Sequence, residues 1–239
     1  MSGGTGHIVK SYEQDLKRLR DLLTEMGGLV ENQVALAAQA VVDKDGAAAT
    51  RAVEEDPKVD ALEREVERFV IRLLALRQPV AVDLRQIIAA LKMTGDLERI
   101  GDYAANVAKR SIVLSEFSLP YSLAGIANMA RMVQEELKIV IDAVGDNDAE
   151  KAEQVWRSDE AVDDIYNAIF RELITYMMED PRNITPCTHL LFIAKNLERI
   201  GDHATNIAET VHYAVTGETL PDARPKADTS AYAIVRPRE

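Results

Sequence analysis

One cysteine, Cys187, stands among 239 residues. A lone thiol cannot close an internal disulfide, and such sparing use fits a reducing compartment. Aromatic residues are scarce at 5%, although hydrophobic residues reach 47%. The apolar content is therefore mostly Ala, Leu, Ile and Val, which favours helical packing over a β-sandwich. No apolar run approaches the roughly 18 residues that a membrane-spanning helix needs. The first ten residues lack the apolar centre of a secretion signal, so the cytoplasm is the expected location. Basic residues form no block outside the last few residues, and acids outnumber bases 40 to 28, for a net charge of −12. That balance disfavours nucleic acid as a partner and disfavours direct attraction to an anionic membrane. It suits a protein that binds cations or basic partner surfaces. No GxSxG, Walker loop or HExxH occurs, so no nucleophile–base arrangement emerges.

What the chain does contain is a repeated string. Leu97-Glu98-Arg99-Ile100-Gly101-Asp102 recurs unchanged at residues 197–202. Over the twelve positions from Leu97 to Ala108, nine match their counterparts 100 residues on, including Ala104/Ala204, Asn106/Asn206 and Ala108/Ala208. Matching this dense marks an internal duplication of about half the chain.

Hydrophobic spacing fills in the unit. Leu16, Leu19, Met26, Val30, Val34 and Val41 recur at helical intervals, so a first helix is expected from 7 to 43. Asp43-Lys44-Asp45-Gly46 reads as a break, followed by a shorter helix from Ala47. Asp56-Pro57 reads as a restart, with Asp56 capping and Pro57 in the first turn. Gln78-Pro79 stops that stripe, and a third helix is expected from 82 to 116. The pattern then begins again. Gly145-Asp146-Asn147-Asp148 repeats the break, Asp159 matches Asp56 at an offset of 103, and Asp180-Pro181 repeats the stop before a last helix from 183 to 216. The expected fold is all-α, two tandem pseudo-symmetric three-helix bundles over 7–117 and 118–216, with Ser118-Leu119-Pro120 as linker. Residues 217–239, rich in Pro and Arg, are expected to form a flexible tail.

Each copy places two acids four apart, Glu98/Asp102 and Glu198/Asp202. On a helix these share a face, and a like-charge pair at that spacing destabilises it by about 0.2–0.5 kcal/mol. On a helical wheel the first pair continues the apolar line of Leu84, Ile87, Ile88 and Leu91. Carboxylates beside apolar surface need a compensating charge. Arg99 and Arg199 point about 100° away on an ideal helix, so a bound metal ion is the simpler compensation. Asp60 and Asp163, matched across the repeat, are further candidate ligands with solvation the equal alternative. Asn106 and Asn206 are possible accessory donors. An all-oxygen set selects magnesium, calcium, manganese or iron. Gly101 and Gly201, each costing about 1 kcal/mol inside a helix, suggest close backbone approach. His203 faces Tyr103 in the alignment of the halves, so it reads as a polar flank. The competing reading is a carboxylate-bridged metalloenzyme, an oxidase or phosphohydrolase. A di-iron centre of that kind needs Glu-x-x-His on two helices. Glu209-Thr210-Val211-His212 supplies it once, and the matching Lys109–Ile112 does not.

Two tandem units, each closing on a long helix with Leu-Glu-Arg-Ile-Gly-Asp followed by Ala and Asn, resemble the PhoU family of phosphate-signalling regulators. The resemblance runs from about Tyr12 to Thr216. It implies paired three-helix bundles with metal ions, iron or zinc in some members, at Glu98, Asp102, Glu198 and Asp202. It also implies a negative regulator of the phosphate-starvation response. Such a regulator works with the ATPase subunit of a phosphate ABC transporter and a sensor histidine kinase, often as a homodimer, and meets the membrane only through them.

Overall fold

The computed structural model describes the backbone of residues 4–117 and 122–221, with side chains from Tyr12 onward apart from Asp159. The described residues form six long helices and no strand: α1 (Gly4–Val42), α2 (Gly46–Arg77), α3 (Ala81–Leu114), α4 (Ala124–Asp146), α5 (Ala149–Glu179) and α6 (Ile184–Thr216). A single 3-10 turn, Pro181–Asn183, precedes α6. The linker expected at 118–120 and the tail from 222 onward lie outside the described residues.

Local chemistry sets the helix ends. Asp45 caps α2, its Oδ1 accepting from the backbone N–H of Ala47 at 2.9 Å and Ala48 at 3.0 Å. Asp148, 103 residues on, caps α5 through the N–H of Glu150 and Lys151. Asp180 caps the 3-10 turn by accepting from Arg182 N–H.

One expected break is absent. Helix α2 runs through Pro57 without a stop, so Asp56 is an interior residue and not a cap. Asp159 likewise falls inside α5. A mid-helix proline removes one hydrogen bond and crowds the preceding turn. The neighbouring helix braces that turn: Gln33 of α1, fully buried, donates from Nε2 to the Ala52 carbonyl at 3.0 Å and to Asp56 Oδ1 at 3.4 Å.

Helices α1, α2 and α3 pack together, as do α4, α5 and α6. The two triplets join through α1 against α4 and α3 against α6. One continuous core results, with Met26, Ile100, Met129, Leu137 and Ile200 among its fully buried side chains. Truncating such a residue to alanine removes about 2–5 kcal/mol. Along α3, Arg85, Asp96 and Arg110 meet Ala214, His203 and Phe192 of α6 in turn. The two repeat-bearing helices therefore run antiparallel, with the repeated strings near the middle of their shared seam.

Candidate functional site

The first acid group sits between α2 and α3. Glu98 and Asp102 project from α3, while Asp56, Asp60 and Glu63 project from α2. Their mutual influence shows in protonation. Burial, then Asp102, pushes the Glu98 carboxyl above its usual range, with Arg99 opposing and Glu63 and Asp60 adding to the rise. Glu63 is raised by burial first, then by Glu67 and Asp60. Asp56 is raised by burial, held back by the Gln33 hydrogen bond, and raised again by Asp102 and Asp60. Five carboxylates thus share one patch of negative potential.

Arginine compensates more than helical geometry suggests. The Arg99 guanidinium lies 3.5 Å from Glu98 Oε2 and 3.6 Å from Asp102 Oδ2. Asp102 stands three residues beyond Arg99, the ordinary spacing of a helix-surface pair, whereas the offset of about 100° applies to Glu98 alone. These are long contacts from a side chain 59% exposed, so their stabilisation is at the low end for surface pairs, about 0–1 kcal/mol. Arg64 reaches Asp60 at 3.7 Å in the same loose fashion.

The second acid group is drier. Glu136, Asp163 and Glu198 are all buried, and so is Asn167. Glu198 pairs with Lys195 at 2.8 Å, and its side chain is 6% exposed against 19% for Glu98. Lys195 also stands 4.8 Å from the Tyr166 ring centroid, a cation–π contact. Arg199 does not mirror Arg99; it lies 5.6 Å from the Tyr103 ring centroid. Duplicated strings therefore have two electrostatic solutions, a loose exposed arginine in one half and a close lysine in the other.

The glycines behave as unequal partners too. A Cβ on Gly101 would come within 3.0 Å of Gln33 Oε1 and 3.4 Å of Val59. At Gly201 the nearest atom, Glu136 Oε2, would be 3.5 Å away, an ordinary contact.

Of the remaining candidates, Asn206 turns to the seam, its Nδ2 3.5 Å from Asp96 Oδ1, and Asn106 is exposed. His203 is more than a flank: its Nδ1 meets Asp96 Oδ1 at 2.8 Å across the seam, and its ring packs 5.6 Å from Tyr103. His212 contacts the Glu218 carbonyl at 3.1 Å, in the turn that ends α6. Glu63 and Gln33 escape sequence reasoning because their counterparts at an offset of 103 are Tyr166 and Glu136. Comparing the halves finds only what both retain. Glu63 was still visible one turn beyond Asp60 on the same face.

Carboxylate oxygens on two adjacent helices are the donor chemistry of a hard cation. Among the described residues, no three His, Cys, Asp or Glu side chains are already gathered into a metal cage. The fit is one of charge and ligand type, and closing around an ion requires side-chain rotation at Glu98, Asp102 and Asp60.

Comparison with known proteins matches this architecture. A sequence profile described as the PhoU domain matches twice, over residues 23–111 and 126–211. A protein of Caulobacter vibrioides named "Phosphate-specific transport system accessory protein PhoU homolog" is 53% identical over 94% of this chain and 98% of its own. The crystal structure of PhoU from Pseudomonas aeruginosa superposes with a TM-score of 0.85 at 42% identity, covering 87% of this chain and all of that one. The phosphate transport system regulatory protein PhoU from Streptococcus pneumoniae gives 0.81 at 30% identity, covering 88% and 99%. With the profile falling once on each bundle and the likeness extending over both, the chain belongs to the PhoU family.

Proposed function

We propose that this chain is a regulatory adaptor of phosphate uptake. In this reading it acts in the cytoplasm, restrains the phosphate-starvation response, and contacts the ATPase subunit of a phosphate ABC transporter and a sensor histidine kinase. The observation that carries the reading is the acid pair retained in both halves of a bundle whose relatives are named accessory or regulatory proteins of phosphate transport. No helix among the described residues is long and apolar enough to cross a membrane, which agrees with reaching the bilayer through partners. The test is capture of the purified transporter ATPase and kinase by this chain, with and without phosphate. Binding to either supports the adaptor role, and binding to neither refutes it.

We further propose that the acids hold metal ions: Glu98, Asp102 and Asp60 in the first half, Glu198, Asp202 and Asp163 in the second. Magnesium, manganese and iron match the oxygen donors, and zinc matches less well because it usually takes imidazole or thiolate. A bound cation would supply positive charge where the carboxylates repel. The protein's own part is to hold those oxygens on two packed helices, half-dried, with Arg99 and Lys195 moderating the field. Self-association as a homodimer belongs to the same reading, and light scattering tests it. The metalloenzyme alternative needs Glu-x-x-His on two helices, and Glu209-Thr210-Val211-His212 supplies it once.

A further inference from the structure

An open groove of about 710 Å³ runs between the start of α3 and the end of α6, away from both acid groups. Ala81, Val82, Leu84 and Ile88 line one wall, and Tyr213 with Thr210 line the other. Val82, Leu84, Ile88 and Tyr213 are each more than a third exposed. Apolar side chains gathered along one groove, in place of being scattered singly, form a surface that a short segment can cover.

The chain itself leads into this groove. Gly217 ends α6 in the left-handed region, with φ of 82°, and its N–H donates to the Tyr213 carbonyl at 2.9 Å. The turn is then pinned: Glu218 N–H donates to Thr216 Oγ1 at 3.0 Å, and the Glu218 carbonyl meets His212 Nδ1. Thr219 already forms part of the groove wall, and the described chain ends two residues later, at Pro221. Eighteen residues follow, 222–239. They hold one apolar run, Ala231-Tyr232-Ala233-Ile234-Val235, followed by Arg236 and Arg238.

We propose that this groove is the docking surface for the chain's own C-terminal segment, with the apolar run at 231–235 laid along α3 from Ala81 to Lys92 and against Tyr213. Reach is ample, because the ten residues from Pro221 to Ala231 span up to about 33 Å extended. Length matches as well. Five extended residues cover about 16 Å, and the stretch of α3 from Ala81 to Lys92 covers about 17 Å. In an extended strand Tyr232 and Ile234 share one face, so both can enter the groove together. The charges of the groove are mixed, with Arg85 and Lys92 standing beside Glu209. The segment carries four bases and three acids on a chain of net charge −12. Glu209, on the groove wall, has no ion-pair partner among the described residues and is available to Arg236. A segment seated there keeps the apolar surface from other partners until it is displaced.

The experiment compares the full chain with a variant ending at Pro221. Removing the segment should raise the fluorescence of a hydrophobic surface dye such as ANS by about twofold, and a synthetic peptide of residues 222–239 should reverse the rise. A disulfide trap gives an independent readout in a Cys187→Ser background. Leu84→Cys with Ile234→Cys should cross-link within one chain, while Thr175→Cys with Ile234→Cys, on α5 beside the start of α6 at the opposite end of the bundle, should not. Unchanged dye binding on truncation together with no Leu84→Cys cross-link overturns the proposal. A cross-link formed only between chains also overturns it, because the groove would then belong to a second copy.

Discussion

Replacing Glu98 by glutamine keeps the shape of the side chain and removes its charge. Glu98 has Asp102 one turn away on α3, with Asp60 and Glu63 facing it from α2. Asp102 at helical spacing contributes about 0.2–0.5 kcal/mol of repulsion, and Glu63 and Asp60 add smaller contributions across the helix interface, for about 1 kcal/mol in all. The substitution also gives up the long Arg99 contact at 3.5 Å, worth at most about 0.5 kcal/mol at this exposure. The net is about 0.5 kcal/mol of stabilisation in metal-free buffer. A chain of this size gains about 2–4 °C in melting temperature per kcal/mol, so Glu98→Gln should melt about 1–2 °C above the wild type in chelator. Saturating cation reverses the order. A ligand at a hundred times its dissociation constant stabilises by about 2.7 kcal/mol, a rise of about 5–11 °C at the same scaling, and the variant should show less than half of that with Mn²⁺ or Mg²⁺. Glu198→Gln supplies the contrast. It removes a nearly buried carboxylate paired with Lys195 at 2.8 Å, so it should lower stability in chelator by about 1–3 kcal/mol, discounted from the fully buried case because Lys195 is partly wet. Differential scanning fluorimetry of the wild type and both variants, in chelator and in each cation, reads every case. A Glu98→Gln protein that melts below the wild type in chelator, or that keeps the full cation response, refutes the reasoning.

Two further predictions rest on single contacts. Gly101→Ala removes about 1 kcal/mol of helix penalty but forces a methyl against Gln33, which is fully buried and pinned to Ala52. Overpacking of that kind costs about 1–3 kcal/mol, so Gly101→Ala should melt lower than the wild type while Gly201→Ala melts at or above it; equal melting temperatures for the two variants would show that Gln33 yields freely. Tyr12 is pushed up to about 12, by burial first and by Asp83 second. A phenol raised in the folded state contributes stability that is fully present below its ordinary value of 10.0 and is lost as pH rises through about 12. The latest phenolate absorbance step should vanish in Tyr12→Phe and move to lower pH in Asp83→Asn, and a step that survives Tyr12→Phe sinks the assignment.

The helical repeat was legible in the sequence because hydrophobic spacing and the doubled string at 97 and 197 both survive without any knowledge of packing. The acid pairs were legible for the same reason. What escaped depended on neighbours. Pro57 looked like a helix start because local propensity sees only its missing N–H, whereas Gln33 reaches in from another helix to steady that turn. Arg99 looked misdirected because it was set against Glu98, its neighbour in sequence, whereas Asp102 lies three residues on and shares its side of the helix. The line of Leu84, Ile87, Ile88 and Leu91 read as one apolar stripe, yet Ile87 is buried while the other three are more than a third exposed. Helix α6 covers the seam beside them and leaves that side of α3 open. Periodicity reports an apolar stripe but not the width of the partner that comes to lie on it.

If each three-helix unit were a separate polypeptide pairing with an identical copy, a two-fold axis would force every joint position to serve both sides alike. Fusion into one chain lifts that obligation. Asp96 and Asn196 occupy matching places, as do Tyr103 and His203. The first couple, Asp96 with His203, became acid and imidazole in contact at 2.8 Å, while the equivalent places hold an amide and a phenol. The two-fold relation between the halves is thereby broken, and the two matching places in the seam carry different chemistry.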